Sequence, residues 1–197
     1  MPPNESNPAP TAFVLETERT WLRRFTPDDA GAIFELAGNP EVMRFIWNPC
    51  VRSVSEAGEL LEKSPLSDYR KHGFGRWAVV LKENRRVIGS AGLKYLEDLE
   101  EVDLGYMLLP DYWGLGLATE LARAILRYGF DTLRLPRIVA LVDTENVRSV
   151  RVLEKLGFAF SKMIDFRSEI SALYVLTSES VAEAACWPKQ TNGRSKN

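Results

Sequence analysis

The residues with the clearest chemical potential are two glycines at alternate positions, Gly114 and Gly116. A strand-like run ends before them at Pro110, and a helix-like run begins after them near Ala118. Glycine lets the backbone approach a ligand without interference from a Cβ atom. The first turn of a helix presents free N–H groups and the positive end of its dipole. Together these features predict a site for a ligand that carries phosphate groups.

Other interpretations of this segment have to be weighed. A P-loop requires a lysine, and residues 112–122 contain none, which excludes it. A dinucleotide fingerprint requires a third glycine where Thr119 stands, although Asp143 supplies an acidic residue after the next strand. A tight turn without a ligand is the remaining alternative, because paired glycines often serve only the backbone.

Several segments, in order along the chain, resemble the GNAT superfamily of N-acetyltransferases. Residues 113–118 resemble its Gln/Arg-x-x-Gly-x-Gly/Ala loop, with Trp113 at the first position. The flanking matches are Asp103–Leu109, Asn146–Ser149 and Leu153–Phe158. Residues 20–25 and 112–119 resemble the RimJ/RimL branch in particular. The resemblance extends from about Glu18 to about Thr177.

The resemblance implies the GNAT fold, an α/β architecture with a mixed, mostly antiparallel sheet of about six to seven strands flanked by about four helices. It implies an N-acetyltransferase that moves the acetyl group of acetyl-CoA to a primary amine, by direct attack in a ternary complex and without a metal. The RimJ/RimL branch favours a protein or peptide N-terminal amine. An acetyltransferase of a small amine or antibiotic, and a non-catalytic acyl-CoA-binding or sensing module, are the alternatives.

Hydrophobic periodicity and capping residues predict the same order of elements. The predicted strands are Arg19–Phe25, Trp77–Leu81, Arg86–Leu93, Glu101–Leu109, Ile138–Val142, Ala159–Phe166 and Ile170–Thr177. Four helices are predicted. Two of them begin at Thr26 and at Ser53, and the other two span residues 118–131 and 146–156. This order gives a mixed α/β sheet with a single parallel crossover, which runs through the helix at 118–131.

The resemblance assigns the coenzyme A pyrophosphate to main-chain N–H groups of the glycine loop. The residues concerned are Leu115, Gly116, Leu117, Ala118 and Thr119. Since the leucines carry no charge, the main chain must supply the interaction, and Arg123 lies one helical turn further on.

The pantetheine arm is expected to run along Tyr106–Leu109 like an added strand, with Met107, Leu108 and Leu109 as cofactor-binding residues. An unpaired N–H group at or near Met107 is expected to stabilise the oxyanion of the tetrahedral intermediate. Gly105 is expected to form a bulge that separates this strand from the strand at 138–142.

For deprotonation, Asp103 stands where GNAT enzymes commonly carry a glutamate base, with a solvated strand acid as the alternative. An amine with a pKa of about 8 to 10 arrives protonated, so a proton acceptor is needed. For the leaving group, the resemblance places Asn146 on the pantetheine arm and Ser149 near the departing thiolate. Asn146 is alternatively only the N-cap of its helix.

Other residues near the predicted site are not expected to take part in the chemical step. Glu101 shares a strand face with Asp103. His72, the sole histidine, is predicted to be exposed in a loop, and Cys50 has no histidine near it in sequence, which makes it a poor nucleophile. The acceptor pocket is expected to be built from residues 45–54, residues 66–74 and the turn at Arg167, including Phe45, Trp47 and Phe74.

Composition limits the classes of partner. The 197 residues are 45% apolar and 26% charged, which is typical of a single soluble domain. A net charge of −2 and the lack of a long apolar run argue against nucleic-acid and membrane partners. We expect a domain over residues 13–177, a disordered segment 1–12 and a polar tail 178–197. The distant Cys50 and Cys186 predict reduced thiols in the cytoplasm, and a monomer or homodimer is expected.

Overall fold

An eight-stranded sheet runs through the computed structural model, which describes residues 13–46 and 48–183. The strands are β1 Leu15–Glu16, β2 Thr20–Arg23, β3 Arg76–Leu81, β4 Val87–Leu96, β5 Glu101–Leu108, β6 Arg137–Val142, β7 Ala159–Phe166 and β8 Glu169–Thr177. The predicted disordered segment 1–12, Trp47, Cys186 and most of the predicted tail lie outside the described residues.

The strand order is β1-β2-β3-β4-β5-β6-β8-β7. Every neighbouring pair of these described strands is antiparallel except β5 and β6, which are parallel. The predicted GNAT fold with one parallel crossover is therefore confirmed. The sheet has one strand more than expected because Leu15 and Glu16 pair with β2 in a stretch too short to show a period.

The helices are α1 Ala30–Ala37, α2 Pro40–Met43, α3 Val54–Leu61, α4 Ser67–His72, α5 Leu117–Arg127, α6 Val147–Lys155 and α7 Ser178–Glu183. The short helices α2, α4 and α7 were not predicted. Gly38-Asn-Pro40 ends α1 as expected, but the Asn39 side chain also accepts a hydrogen bond from the Glu41 amide and so starts α2. His72 is the last residue of α4 and half-buried, not exposed in a loop as predicted.

The sheet carries a hydrophobic core on each face. The helix α5 covers one face with Leu121, Ile125 and Leu126, all of them fully buried. The helices α1 and α3 cover the other face, where Leu36 and Leu61 are buried. Since β4 and β5 lie between these two layers, their main chains are shielded from solvent over most of their length.

An ion pair fixes the turn that joins β2 to α1. Arg23 donates from both Nη atoms to the two carboxylate oxygens of Asp29, each at 2.7 Å. Asp29 also accepts from the Thr26 amide at 2.8 Å. Burial raises the pKa of Asp29, but the Arg23 guanidinium and the Thr26 groups outweigh this and hold the pKa below its ordinary value. The pair therefore stabilises the protein at neutral pH and loses its contribution as the pH falls through the lowered pKa.

Asp29→Asn should lower the free energy of unfolding at pH 7 by about 3 kcal/mol, because it leaves a largely buried guanidinium without its counter-charge. At a pH below about 3.9, the ordinary pKa of aspartate, the loss should be smaller, because the pair in the unmodified protein also loses its charge-dependent contribution as the pH falls toward the lowered pKa of Asp29. Urea denaturation at both pH values measures the difference. The control is Asp28→Asn, which removes an exposed carboxylate from the same turn; equal losses for the two variants at pH 7 would contradict this role of Asp29.

Candidate active site

The strands β5 and β6 separate after a single paired position. Asp103 pairs with Val139, and no later residue of β5 is paired with β6. The opening leads into a cavity of about 520 Å³. Its walls include Tyr106 and Met107 of β5 and Leu141 of β6. The separation expected from the sequence is thus present.

The Asp103 side chain marks the point of separation. In a regular parallel ladder the next amide of β6, that of Leu141, would bond to a β5 carbonyl. Here the Leu141 amide donates instead to Asp103 Oδ1 at 3.1 Å. The carboxylate therefore occupies the place of a backbone acceptor, and β6 is held at one side-chain length from β5.

Arg76 of β3 holds the other oxygen of this carboxylate. Its guanidinium pairs with Asp103 Oδ2, and it donates to the Asp103 carbonyl at 2.7 Å and to the Gly92 carbonyl. Arg76, Gly92 and Gly105 are neighbours across three strands. A Cβ atom at Gly105 would clash with the guanidinium. Gly105 is therefore needed for space, and the predicted bulge at Gly105 is wrong, because the β4–β5 register passes through it without a shift.

Asp103 is accordingly buried and hydrogen-bonded. The residue is 8% exposed, and both carboxylate oxygens accept hydrogen bonds. Burial raises its pKa, while Arg76 and the Leu141 amide oppose that increase. The alternative of a solvated strand acid is wrong. Glu101, on the same strand face, pairs with Arg137 through Oε2 at 2.9 Å and does not line the cavity.

The register of β5 decides which amides face the opening. The Leu109 amide donates to the carbonyl of Ile88, the residue directly opposite it on the β4 side. Two positions earlier, Met107 lies opposite Ser90 in the same register. Since hydrogen-bonded positions alternate along an antiparallel pair, the Met107 amide also points to β4. The amides of Tyr106 and Leu108 point into the opening instead. The oxyanion donor at or near Met107 stays a prediction: the Met107 amide itself is directed at β4, and the nearby amides that face the opening are those of Tyr106 and Leu108. The Leu109 amide is already bonded to the Ile88 carbonyl.

The glycine loop has the backbone geometry that glycine alone adopts at low cost. Gly114 and Gly116 have φ values of +75° and +78°. Gly116 is the N-cap of α5, and the first intrahelical bond runs from the Glu120 amide to the Gly116 carbonyl. The N–H groups of Leu117, Ala118 and Thr119 precede that bond, so an anion at this end of the helix can accept from them.

Arg19 anchors this loop from the N-terminal strand region. Its Nη1 donates to the Leu115 carbonyl at 2.8 Å, and its Nε donates to Glu120 at 2.7 Å. The N–H of a trans peptide points opposite to its carbonyl. Because Arg19 holds the Leu115 carbonyl, the Gly116 N–H points away from Arg19, toward the exposed side of the loop.

Trp113 links the loop to the end of β5. Its indole N–H donates to the Leu108 carbonyl at 2.7 Å, and the Arg148 guanidinium lies 5.4 Å from its ring. Arg148 thus brings a cation close to the glycine loop, a role the sequence suggested for Arg123. Arg123 itself is exposed on α5.

The start of α6 forms the far wall of the opening. Asn146 caps this helix by accepting from the Ser149 amide at 3.2 Å, so its predicted capping role is confirmed. Both residues line the cavity. The Tyr106 hydroxyl, which sequence reasoning missed, is buried without a hydrogen-bond partner of regular geometry. Burial raises its pKa, and the Ser149 hydroxyl lies close enough to oppose that increase.

The other end of the cavity is built by segments that surround α1 and α3. They are residues 43–46 and 48, residues 60–65, and the turn at Phe166 and Arg167. Phe45 lines the cavity as predicted. Residues 66–74 do not, because they form α4 and pack behind the 60–65 segment. Phe74 contacts the core instead.

Neither a metal site nor a membrane-spanning helix is found in the described residues. No cluster of three or more His, Cys, Asp or Glu side chains there has the geometry to hold a metal ion. No helix within the same ranges is long and apolar enough to cross a membrane. The dinucleotide interpretation is wrong, because it requires a doubly wound parallel sheet and the described strands form one parallel pair.

Comparison with known proteins agrees with this geometry. A family model described as an acetyltransferase (GNAT) domain matches residues 19–159. The uncharacterized N-acetyltransferase YoaA of Bacillus subtilis is 34% identical over 146 residues, which cover 74% of this chain and 82% of YoaA. Spermidine N(1)-acetyltransferase of Escherichia coli is 29% identical over 142 residues, which cover 70% of this chain and 72% of that protein.

A solved structure shows the same fold. The crystal structure of a GNAT-family acetyltransferase from Bacillus anthracis superposes with a TM-score of 0.70 at 26% identity and covers 84% of this chain and 98% of its own. The predicted enzyme class is confirmed together with the fold. The chain belongs to the GNAT family of acetyltransferases.

Proposed function

We propose that the protein transfers the acetyl group of acetyl-CoA to a primary amine by direct attack in a ternary complex. The single observation that carries this proposal is the opening between β5 and β6, which leads into a cavity of about 520 Å³. A thiol-release assay with acetyl-CoA against peptides, polyamines and aminoglycosides tests it. Binding of acetyl-CoA with no thiol release in that panel would favour the non-catalytic sensing alternative.

The glycine loop suits a diphosphate. The N–H groups of residues 117–119 stand at the positive end of α5, and the loop before them is exposed. Leu115 contributes its main chain, and its side chain is 55% exposed. Arg148 supplies the positive charge that the leucines cannot.

The arm of the cofactor fits between β5 and β6. The amides of Tyr106 and Leu108 lie on the side of β5 that faces the opening, and one of them can donate to the thioester carbonyl. As the amine attacks, negative charge grows on that oxygen, and a preorganised donor of this kind contributes about 3 kcal/mol to the rate. Met107 remains part of the site through its side chain, which packs toward the acceptor face.

Tyr106 and Ser149 suit the departure of the thiolate. When the carbon–sulfur bond breaks, the electron pair leaves with sulfur, which takes a proton from the Tyr106 hydroxyl. The phenol regains a proton from Ser149, whose hydroxyl exchanges with solvent. Burial, which raises the pKa of Tyr106, keeps the phenol protonated before this step. Asn146 holds the start of α6, and thereby Ser149, in place.

Deprotonation of the amine is assigned to water, with Asp103 as a positioning residue. Both oxygens of Asp103 are already engaged, and its removal would disturb the separation of β5 and β6. The ammonium therefore loses one proton to solvent at the open acceptor end before it attacks, and the nitrogen of the tetrahedral intermediate loses a second proton to solvent there. The product is an amide, and the second product is the free thiol.

Two similarities to known proteins bear on the nature of the acceptor. The resemblance of the sequence at residues 112–119 to the RimJ/RimL branch supports a protein or peptide N-terminal amine. The similarity to a spermidine acetyltransferase supports a small amine as the alternative. The composition and the paucity of cysteine support a cytoplasmic enzyme.

Gly116→Ala should weaken acetyl-CoA binding by roughly tenfold, because a left-handed residue with a Cβ costs about 1 to 2 kcal/mol and shifts the loop amides. Isothermal calorimetry with acetyl-CoA measures the loss. Gly73→Ala is the matched control: Gly73 has a φ of +79°, its Cβ position is equally open, and it lies outside the loop at the end of α4. Both variants should lose similar stability, and an equal affinity for acetyl-CoA in both would contradict the proposed site.

Tyr106→Phe should lower kcat by about a hundredfold, the contribution of a positioned proton donor. The melting temperature should stay the same or rise, because the lost hydroxyl is buried without a partner. Steady-state kinetics and thermal unfolding check the two effects. Tyr174→Phe, on β8 outside the cavity, should change neither. A Tyr106→Phe enzyme with full kcat would remove the residue from the mechanism.

The pH dependence should follow the acceptor. If water takes the proton, kcat/KM rises with pH and levels off above the pKa of the acceptor amine, about 8 for a peptide α-amine and about 10.4 for a lysine side chain. Rate profiles for two such acceptors should therefore differ, and Asp103→Asn should lower stability and keep the inflection. One common inflection for both acceptors that disappears in Asp103→Asn would identify Asp103 as the base.

A further inference from the structure

Lys94 stands in the wall of the acceptor end of the cavity. It lies on β4 directly opposite Asp103, and both side chains face the acceptor side of the sheet. Its side chain is 30% exposed, so the ammonium group is partly withdrawn from water. A cation in such a position needs a counter-charge or a polar ligand.

The protein supplies that counter-charge only in part. Lys94 Nζ donates to Ser64 Oγ at 3.0 Å, while the carboxylate of Asp68 lies 3.8 Å away. The same Asp68 oxygen accepts a hydrogen bond from Ser64 at 2.6 Å, so the serine stands between the two charges. Burial lowers the pKa of Lys94 and Arg76 and Arg167 add to this, while Asp68 and Asp103 oppose it without cancelling it. An ammonium has three protons, and these contacts leave it able to bind another acceptor.

The surrounding charges favour an anion over a cation. Arg76, Arg167 and Lys63 line the same cavity as Lys94, and each lies beside a carboxylate: Arg76 pairs with Asp103, Arg167 with Asp98 at 3.0 Å and Lys63 with Glu59 at 3.8 Å. The carboxylates among its described lining residues are Asp103 and Asp143. Both already accept hydrogen bonds from the protein, Asp103 from two groups and Asp143 from the Glu145 amide at 2.8 Å. Lys94 is therefore a partly buried cation of this wall without a carboxylate at hydrogen-bond distance, and a carboxylate of the acceptor would supply one.

The strand geometry gives the distance between this wall and the reacting carbonyl. Lys94 is level with Asp103, and the amides that face the opening begin at Tyr106. Three residues of strand span roughly 10 Å at about 3.3 Å each. The amine and carboxylate of an α-amino acid are separated by one carbon and cannot reach both places.

We infer that Lys94 forms a carboxylate-binding subsite, so that the acceptor is an amine with a carboxylate on the order of 10 Å away. This inference rests on the proposed acetyl transfer for its orientation. A peptide with an acidic side chain near its N-terminus has this chemistry, and so has a long ω-amino acid. The two sources differ in backbone and share the charged group that Lys94 would bind.

The experiment uses charge-matched pairs. One arm compares ω-amino acids of increasing chain length with the corresponding ω-amino amides, and the other compares peptides that begin Ala-Glu with peptides that begin Ala-Gln. Acetylation is measured as kcat/KM. Binding of the N-acetylated products to the coenzyme A complex is measured by calorimetry, which requires no turnover. The carboxylated member of a pair should be favoured roughly tenfold or more in both readouts, as expected for a charge-assisted hydrogen bond.

Variants assign the preference to the residue. Lys94→Met should abolish the discrimination and keep activity on the neutral member, and Lys94→Arg should retain it. Lys63→Met is the control, because Lys63 lines the same cavity with a side chain that is 79% exposed. Its preference should be unchanged.

The outcomes separate the two proposals. Equal binding of charged and neutral products, or a loss in Lys94→Met that is the same for both, would overturn the subsite while acetylation stands. Lys94-dependent binding of carboxylated products without any thiol release would support the subsite and overturn the proposed acetyl transfer. A preference for polyamines over both pairs would also overturn the subsite.

Discussion

The separation of β5 from β6 depends on one carboxylate that accepts from two directions. Asp103 bonds to the Leu141 amide, which would otherwise continue the parallel ladder, and to Arg76, which reaches it across β4. An unpaired backbone amide in this place would be costly, and so would an unpaired buried charge. The three groups satisfy one another only when the strands part at this level. The opening between these strands, the proposed site of the acyl donor, is thus a consequence of hydrogen-bond satisfaction in the sheet itself.

The two ends of the site are built from different chemistry. At the proposed cofactor end the groups that can bind are main-chain amides, at residues 117–119 and at alternate positions of β5, and the side chains of Arg19 and Trp113 bond to that main chain. At the acceptor end the functional groups are side chains from β3, β4 and the 60–65 segment. A backbone site can bind the same cofactor in many sequences, whereas a side-chain site changes its specificity with each substitution.

This difference explains what the sequence could predict. Local signals were sufficient for the Ser53 cap, for the hairpin at 159–177 and for the glycine loop, because each depends on neighbours within a few residues. The role of Arg76 depends on its contact with Asp103, which lies 27 positions further along the chain and two strands away in the sheet. A pattern of neighbouring residues does not reveal such a contact. The one available signal was a pair of glycines, Gly92 and Gly105, at facing positions, which leaves room for a large side chain. The sequence could place the unpaired amide only at or near Met107 for the same reason, since a strand's own sequence does not say which amides face which partner.

The most direct test of the central claim is residue-resolved amide hydrogen exchange by NMR, with and without acetyl-CoA. In the free protein the amides of Tyr106 and Leu108 should exchange faster than the amide of Met107, which is bonded to β4. Acetyl-CoA should slow exchange at Tyr106 or Leu108 and at residues 117–119, and should leave Met107 unchanged. Uniform protection along β5 in the free protein, or protection by acetyl-CoA at another place in the fold, would contradict the assignment of this opening as the acyl-donor site.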